Sequence, residues 1–234
     1  MNYFAGKRIL ITGASRGVGF EAAKLFLAAG ALVFGTGRNP ARLDRAAAEL
    51  NQLGTFIPFL ADFDDTQAPA AVAAAVAARW PALDILANNA AVQTYKRDWY
   101  DEGLGLLEAQ WRSNVFAPHE LIFRLVPLLE KGVEPRIVNV GSGAGNAEAL
   151  RTSADMPTYR LTKYANGGLT MLWAATLKGR IAVNSLDPGW LKTDLGGPNA
   201  PGEPADGGQR MWEICSLPWT ETGKFWHGNR EISF

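Results

Sequence analysis

Tyr159 and Lys163 stand four residues apart in a stretch, from Thr158 to Leu177, whose pattern predicts a helix. Residues at that spacing share one helix face. A phenol beside an ammonium ion has its pKa lowered, because the cation stabilises the phenolate. The pair therefore reads as an acid/base group able to work near neutral pH. Tyr-x-x-x-Lys is by itself a common accident of helices, and two further residues give it weight. Ser142 follows the strand-like run RIVNVGS from Arg136, where a hydroxyl can hydrogen-bond a substrate oxygen. Asn114, in SNVF, lies inside a long helical region and can hold a water through its side chain, whereas an asparagine is otherwise a poor helix former.

A second chemistry is written near the start of the chain. In ITGASRGVGF, Gly13, Gly17 and Gly19 follow an apolar run and precede a helical pattern, with the spacing G-x-x-x-G-x-G. Such a turn lets backbone approach a pyrophosphate, and the helix that follows offers free N–H groups and a favourable dipole. A tight turn with no ligand would need the same glycines. NAD sites of this kind place an acid after the second strand to hold the ribose 2′-hydroxyl. Here that strand ends in Gly35-Thr36-Gly37-Arg38 without an acid. Arg38, with Arg16 inside the glycine turn, suits a 2′-phosphate and favours NADP(H) over NAD(H). The weaker alternative is that Arg38 simply solvates the start of the next helix. Asp62, after the third strand, could accept a bond from an adenine amino group or cap the following helix.

The elements that must hold these residues alternate. RILIT near Arg8, ALVFGT from Ala31, TFIPFL from Thr55, LDILANN from Leu83, RIVNVGS and IAVNSLD from Ile181 read as strands, and helical patterns separate them. The tail KFWHGNREISF adds a seventh strand. Helices are expected from EAAKLFLAAG, ARLDRAAAEL with Pro40 in its first turn, the alanine-rich stretch from Ala68, and Leu104–Glu130, interrupted near Pro118 and Pro127. This predicts an α/β protein, doubly wound in the Rossmann manner, with a seven-stranded, mostly parallel sheet covered on both faces. Ligands bind at the carboxyl ends of such strands. Residues 1–234 read as one dinucleotide-binding and catalytic domain. GGPNAPGEPADGG, from Gly196 to Gly208, reads as a mobile loop beside the site, within a substrate-loop region of residues 190–220.

Composition excludes several classes. The 234 residues are 47% hydrophobic and 20% charged, with 23 basic and 23 acidic side chains. A net charge of zero argues against nucleic acid or a polybasic membrane contact as partner. No apolar run is long enough to span a membrane. One cysteine, Cys215, and two histidines make a structural metal site untenable, and a reducing, cytoplasmic setting fits, with no room for a leader before the first strand. Cys215 reads as a small buried hydrophobe, and His119 and His227 as bystanders.

Taken together, these motifs resemble the short-chain dehydrogenase/reductase superfamily in its short, single-domain form, and its carbonyl reductases in particular. TGASRGVG is similar to that family's T-G-x-x-x-G-x-G, ANNA from Ala87 to its N-N-A-G with Ala91 in place of glycine, and DPGWLKTD from Asp187 to its P-G-x-x-x-T element. Asn114, Ser142, Tyr159 and Lys163 match its catalytic tetrad. The resemblance implies hydride transfer between the nicotinamide of NADP(H) and a small carbonyl or alcohol substrate. Tyr159 would exchange the proton and Ser142 would orient the oxygen. Lys163 would bind the nicotinamide ribose, and Asn114 would hold a water that relays protons to Lys163. Ser15 and Val18 beside the glycines, Phe63 beside Asp62, and Asn89 would contact the cofactor. Pro188, Gly189, Leu191 and Thr193 would position the carboxamide end. It also implies a homodimer or homotetramer. A non-catalytic NADP-sensing protein of the same fold is the alternative, and the intact Ser-Tyr-Lys set speaks against it. A nucleotide-sugar epimerase-like enzyme fits the glycine spacing and short C-terminal half less well. The segment NAEALRTSADM lengthens the usual Ser-to-Tyr interval and is expected to reshape the site entrance. Trp190, Trp212, Trp219 and Trp226, with Tyr95, Trp99 and Tyr100, suggest either an apolar or ring-bearing substrate or a core and interface role.

Overall fold

The computed structural model describes residues 3–94 and 98–234. Eight strands form one sheet: β1 (Arg8–Ile11), β2 (Leu32–Gly37), β3 (Phe56–Leu60), β4 (Ile85–Asn88), β5 (Arg136–Val140), β6 (Ala182–Leu186), β7 (Phe225–His227) and β8 (Arg230–Ile232). Their spatial order is β3-β2-β1-β4-β5-β6-β7-β8, parallel throughout except for the antiparallel β7–β8 pair. The expected seven strands become eight because Gly228-Asn229 turns the tail back on itself, pairing His227 with Arg230.

Alternate residues of β1 supply both layers of core. Ile9 and Ile11 face one cluster with Phe26 and Leu27, and Leu10 faces another with Phe34, Val72 and Leu121. The first layer holds helices α1 (Gly17–Ala28) and α2 (Pro40–Leu50), the second α3 (Ala68–Arg79), and both are completed by later helices. Each such buried aliphatic side chain contributes about 1.5–3 kcal/mol relative to exposure. β3 is an edge strand, which resolves the blemish of Pro58. Ala61 donates to Gly37 O, and the period of two then turns position 58 outward, where no ladder bond is lost.

The long helical region is α4 (Trp99–Trp111), a π-helical turn (Arg112–Phe116) and α5 (Ala117–Leu129), with Pro118 in the first turn of α5 and Pro127 inside it. A short helical turn capped by Asp98, whose carboxylate accepts from Tyr100 N and Asp101 N, precedes a break at Gly103 (φ 66°), and the helix expected from Leu104 follows that break. Part of the lengthened interval folds as α6 (Ala147–Thr152), ahead of α7 (Pro157–Thr176). None of the described helices is long and apolar enough to cross a membrane.

The stretch read as a loop from Gly196 to Gly208 is one only in its first half. Helix α8 (Pro204–Ser216) starts inside it, closed by a capping box between Glu203 and Asp206. Gly207 and Gly208 are turn signals in sequence, yet here they are contact residues. A Cβ at Gly208 would lie 2.6 Å from Glu21 Cβ and 2.9 Å from Ala22 N, so α8 meets α1 nearly backbone to backbone. Gly168, in the middle of α7, has nothing within 4 Å of a built Cβ. Urea unfolding of two variants checks this contrast. Gly208→Ala is expected to lose about 1–3 kcal/mol by overpacking against backbone that cannot yield. Gly168→Ala is expected to gain roughly 0.5–1 kcal/mol from helix propensity alone.

Candidate active site

Strand order reverses between β1 and β4, and the crevice outside their carboxyl ends holds the glycine turn. Thr12 binds the two strand ends together: its hydroxyl accepts from Asn89 N and Ala90 N, each at 2.9 Å. Asn89 returns the contact, its Nδ2 donating to Thr12 O at 2.9 Å and Gly13 O at 3.2 Å. The turn fits only glycine at its closest points. Gly13 has φ 69°, and a Cβ on Gly19 would fall 2.5 Å from Gly13 O and 2.6 Å from Asn89 Nδ2. Helix α1 opens from this turn without a side-chain cap and without acidic residues in its first turn. Its N-terminus therefore retains its positive end and can receive an anion.

A cavity of about 1160 Å³ runs from this turn across the ends of β4, β5 and β6. It is lined by every candidate catalytic or cofactor residue named from the sequence except Gly19, which is packed beneath the turn, and Asn114. Arg16, Arg38, Asp62 and Phe63 mark one end, and Ser142, Tyr159 and Lys163 the other. Asp62 does not cap α3, whose first residue follows Gln67; its carboxylate accepts from Asp64 N at 3.2 Å.

At the far end, Tyr159 is buried with the Lys163 ammonium 5.7 Å from its ring centre. Lys163 Nζ donates to Val140 O at 2.8 Å. Burial lowers its pKa to about 8, and the Asp187 carboxylate opposes that fall. Ser142 Oγ accepts from Ala144 N at 3.2 Å, so its hydrogen is left to donate.

Asn114 is held by the segments around it. Its amide clasps the backbone of Val92, accepting from the N–H and donating to the carbonyl at 2.9 Å each, and donates again to Thr162 Oγ1 at 3.1 Å. Both amide hydrogens are spent, and the side chain braces the segment after β4 rather than offering them to a water. Asn114 sits in the π-helical turn, and its carbonyl, whose α-helical donor would be the N–H that Pro118 lacks, accepts from Asn166 Nδ2 at 3.0 Å. From there a buried polar chain leads back to the sheet. Thr170 Oγ1 donates to Asn166 O, Asn139 Nδ2 to Thr170 Oγ1, and Asn88 Nδ2 to Asn139 Oδ1.

Sequence reasoning missed three features. His227, set aside as unpaired, has Nδ1 3.1 Å from Asp187 Oδ2, a pairing made only by the neighbouring strands β6 and β7. Arg160 straps the lengthened interval to α7, with Nε donating to Asp155 O at 2.7 Å and Nη1 to Ala144 O at 3.1 Å. This brings Asp155 and Met156 to the cavity wall, with Met156 in the left-handed region at φ 50°. Asp194, next to Thr193, joins Arg16 and Arg42. The aromatic residues divide: Trp212 packs against Phe4 and Phe26 in the core, Trp226 is buried, and Trp219 donates to Pro135 O. Trp190 alone of the four lines the cavity, and Trp99 and Tyr100 are exposed at the start of α4. Tyr95 lies outside the described residues. His119 accepts from Trp173 Nε1 and does not line the cavity. Burial pushes the Cys215 thiol up to about 12, which removes it as a nucleophile.

Residues 7–203 match the family model described as short chain dehydrogenase. The chain is similar to galactitol 2-dehydrogenase (L-tagatose-forming) of Cereibacter sphaeroides, 32% identical over 190 residues that span 79% of this chain and 71% of that one. It is also similar to dehydrogenase/reductase SDR family member 7B of Mus musculus, 31% identical across 82% of this chain but only 60% of that protein's length. Among solved structures, a short chain dehydrogenase from Burkholderia cenocepacia in complex with NADP is 28% identical, with a TM-score of 0.87 and 97% of each chain covered. The carbonyl reductase Sniffer of Drosophila melanogaster is 26% identical, with a TM-score of 0.86, covering 98% of this chain and 100% of that one.

The buried ammonium has a consequence for stability. With its native pKa near 8 and an unfolded value of 10.5, Lys163 binds more protons unfolded than folded between those limits. Unfolding free energy must therefore rise with pH through that window. Relative to Lys163→Met, the unaltered chain is expected to gain up to about 3 kcal/mol between pH 8 and 10.5, read from denaturant unfolding at each pH.

Proposed function

Since the chain belongs to the short chain dehydrogenase family, we propose that it is an NADPH-dependent oxidoreductase that interconverts a carbonyl and an alcohol. One observation carries the reading: the glycine turn with Arg16 and Arg38, and the Ser142–Tyr159–Lys163 group, open into the same cavity. The uncapped N-terminus of α1, which opens from the glycine turn with no acid in its first turn, would receive the pyrophosphate, and Gly13 and Gly19 let that turn pack against the ends of β1 and β4. Arg16, together with Arg38 at the end of β2, would take the 2′-phosphate, a reading supported by the NADP bound in the Burkholderia relative. When bound, the nicotinamide supplies or accepts the hydride.

The remaining chemistry belongs to side chains. In the reducing direction the Tyr159 hydroxyl gives its proton to the carbonyl oxygen as negative charge develops there. Ser142 donates to the same oxygen and fixes its position. Lys163, kept cationic below pH 8 with help from Asp187, stabilises the phenolate that remains and offers its ammonium to the ribose hydroxyls. Asn114 acts through position, holding Val92 and α7 in register. Trp190 at the cavity mouth, 56% exposed, supports a substrate with apolar or ring character. The exposed Leu104, Phe116, Phe123 and Leu172 on neighbouring helices support a homo-oligomer.

A panel of aldehydes and ketones followed by NADPH oxidation tests the reading. Turnover is expected on at least one apolar carbonyl, and Tyr159→Phe is expected to lower kcat by on the order of 10²–10⁴ with nucleotide binding retained. Undiminished turnover in that variant would remove Tyr159 from its role. No turnover across the panel would return the chain to a binding protein.

A further inference from the structure

Asp194 lies one residue past Thr193, in the loop between β6 and α8. Its Oδ2 is shared by two guanidinium groups from different elements. One is Arg16 in the glycine turn, and the other is Arg42 in the first turn of α2, at 3.0 Å. Arg38 stands exposed near them, and no carboxylate pairs with it among the described residues. The three cations crowd one another, and after burial the Arg42 and Arg38 charges are what lower the Arg16 pKa. Among the described residues Asp194 is the carboxylate paired with Arg16 and Arg42, and Arg45 and Glu49 line the same recess beside them. The loop is seated close by: a Cβ on Gly17 would lie 3.3 Å from Thr193 Cγ2. Asp194 is more than half exposed, as befits an exchangeable ion pair rather than a buried one.

We propose that Asp194 competes with the 2′-phosphate of the cofactor for Arg16 and Arg42, and so sets how strongly the site discriminates between phosphorylated and unphosphorylated adenosine. The proposal rests on the NADP reading above. A phosphate monoester brings a charge of about −1.5 to −2 and three acceptor oxygens to guanidiniums that a carboxylate already holds. Two anions side by side repel, so full engagement of the phosphate requires Asp194 to let go. Arg42 is then a third phosphate ligand, held in reserve by the carboxylate. The loop bearing Thr193 is tethered through the same two guanidiniums, so its anchorage changes only when the nucleotide carries the 2′-phosphate.

Calorimetric titration of the full chain with 2′,5′-ADP and with 5′-ADP, at low salt, separates the possibilities without any turnover. The unaltered chain is expected to prefer 2′,5′-ADP. Asp194→Asn is expected to tighten 2′,5′-ADP by about three- to tenfold and to leave 5′-ADP unchanged. Arg42→Ala is expected to weaken 2′,5′-ADP about five- to tenfold, again without effect on 5′-ADP. A preference for 2′,5′-ADP that Asp194→Asn leaves unchanged or reduces overturns the competition while sparing the NADP reading. Equal tightening of both nucleotides reduces Asp194 to general electrostatics and also overturns it. No preference in the unaltered chain overturns the NADP reading and the competition with it.

Discussion

The site depends on how closely β1, β4 and α1 can approach one another. Thr12 and Asn89 draw the two strand ends together by four hydrogen bonds, the space left is too small for a Cβ on Gly19, and Gly13 needs its positive φ. Because the turn is that tight, α1 begins at the carboxyl edge of the sheet instead of above it. Its free N-terminus then faces the same crevice as the residues after β5 and β6. The cavity is the space which that approach leaves open.

The second half of the site hangs from polar contacts inside the protein. A chain of amides and hydroxyls runs from Asn88 on β4 through Asn139 and Thr170 to Asn166, and ends on the carbonyl of Asn114. The chain ties α7 to the sheet and so constrains the rotation of that helix about its axis, with the Oδ1 atoms of Asn88 and Asn166 left outside its hydrogen bonds. That rotation aims Tyr159 and Lys163 at the cavity. The Asn114 carbonyl, left without an α-helical donor by Pro118, closes the chain on the neighbouring helix.

Much of this was legible in the residues. Strand and helix alternation gives the sheet, the glycine spacing gives the turn, and a spacing of four gives the Tyr159–Lys163 face. What was hidden depends on contacts distant in sequence. Gly207 and Gly208 read as a turn because nothing local reveals that α1 will press against them. The π-helical turn leaves no composition signal, and nothing local shows that the Asn114 amide bonds Val92 and Thr162. The pairs His227–Asp187 and Arg42–Asp194 join residues 40 and 152 positions apart. Local spacing carries information about neighbours on an element, and these pairs are made by topology.

Pro58 shapes the outside of the molecule as well. On β3 its missing N–H points away from β2, and the outer rim loses a donor in the middle of a five-residue strand. A foreign strand that tried to add there would find the ladder interrupted. At the opposite rim β8 is only three residues long and offers little to pair with. Growth of the sheet from molecule to molecule is thus discouraged at both rims, which leaves the helix surfaces as the faces on which a closed assembly, if one forms, would be built by side-chain contacts.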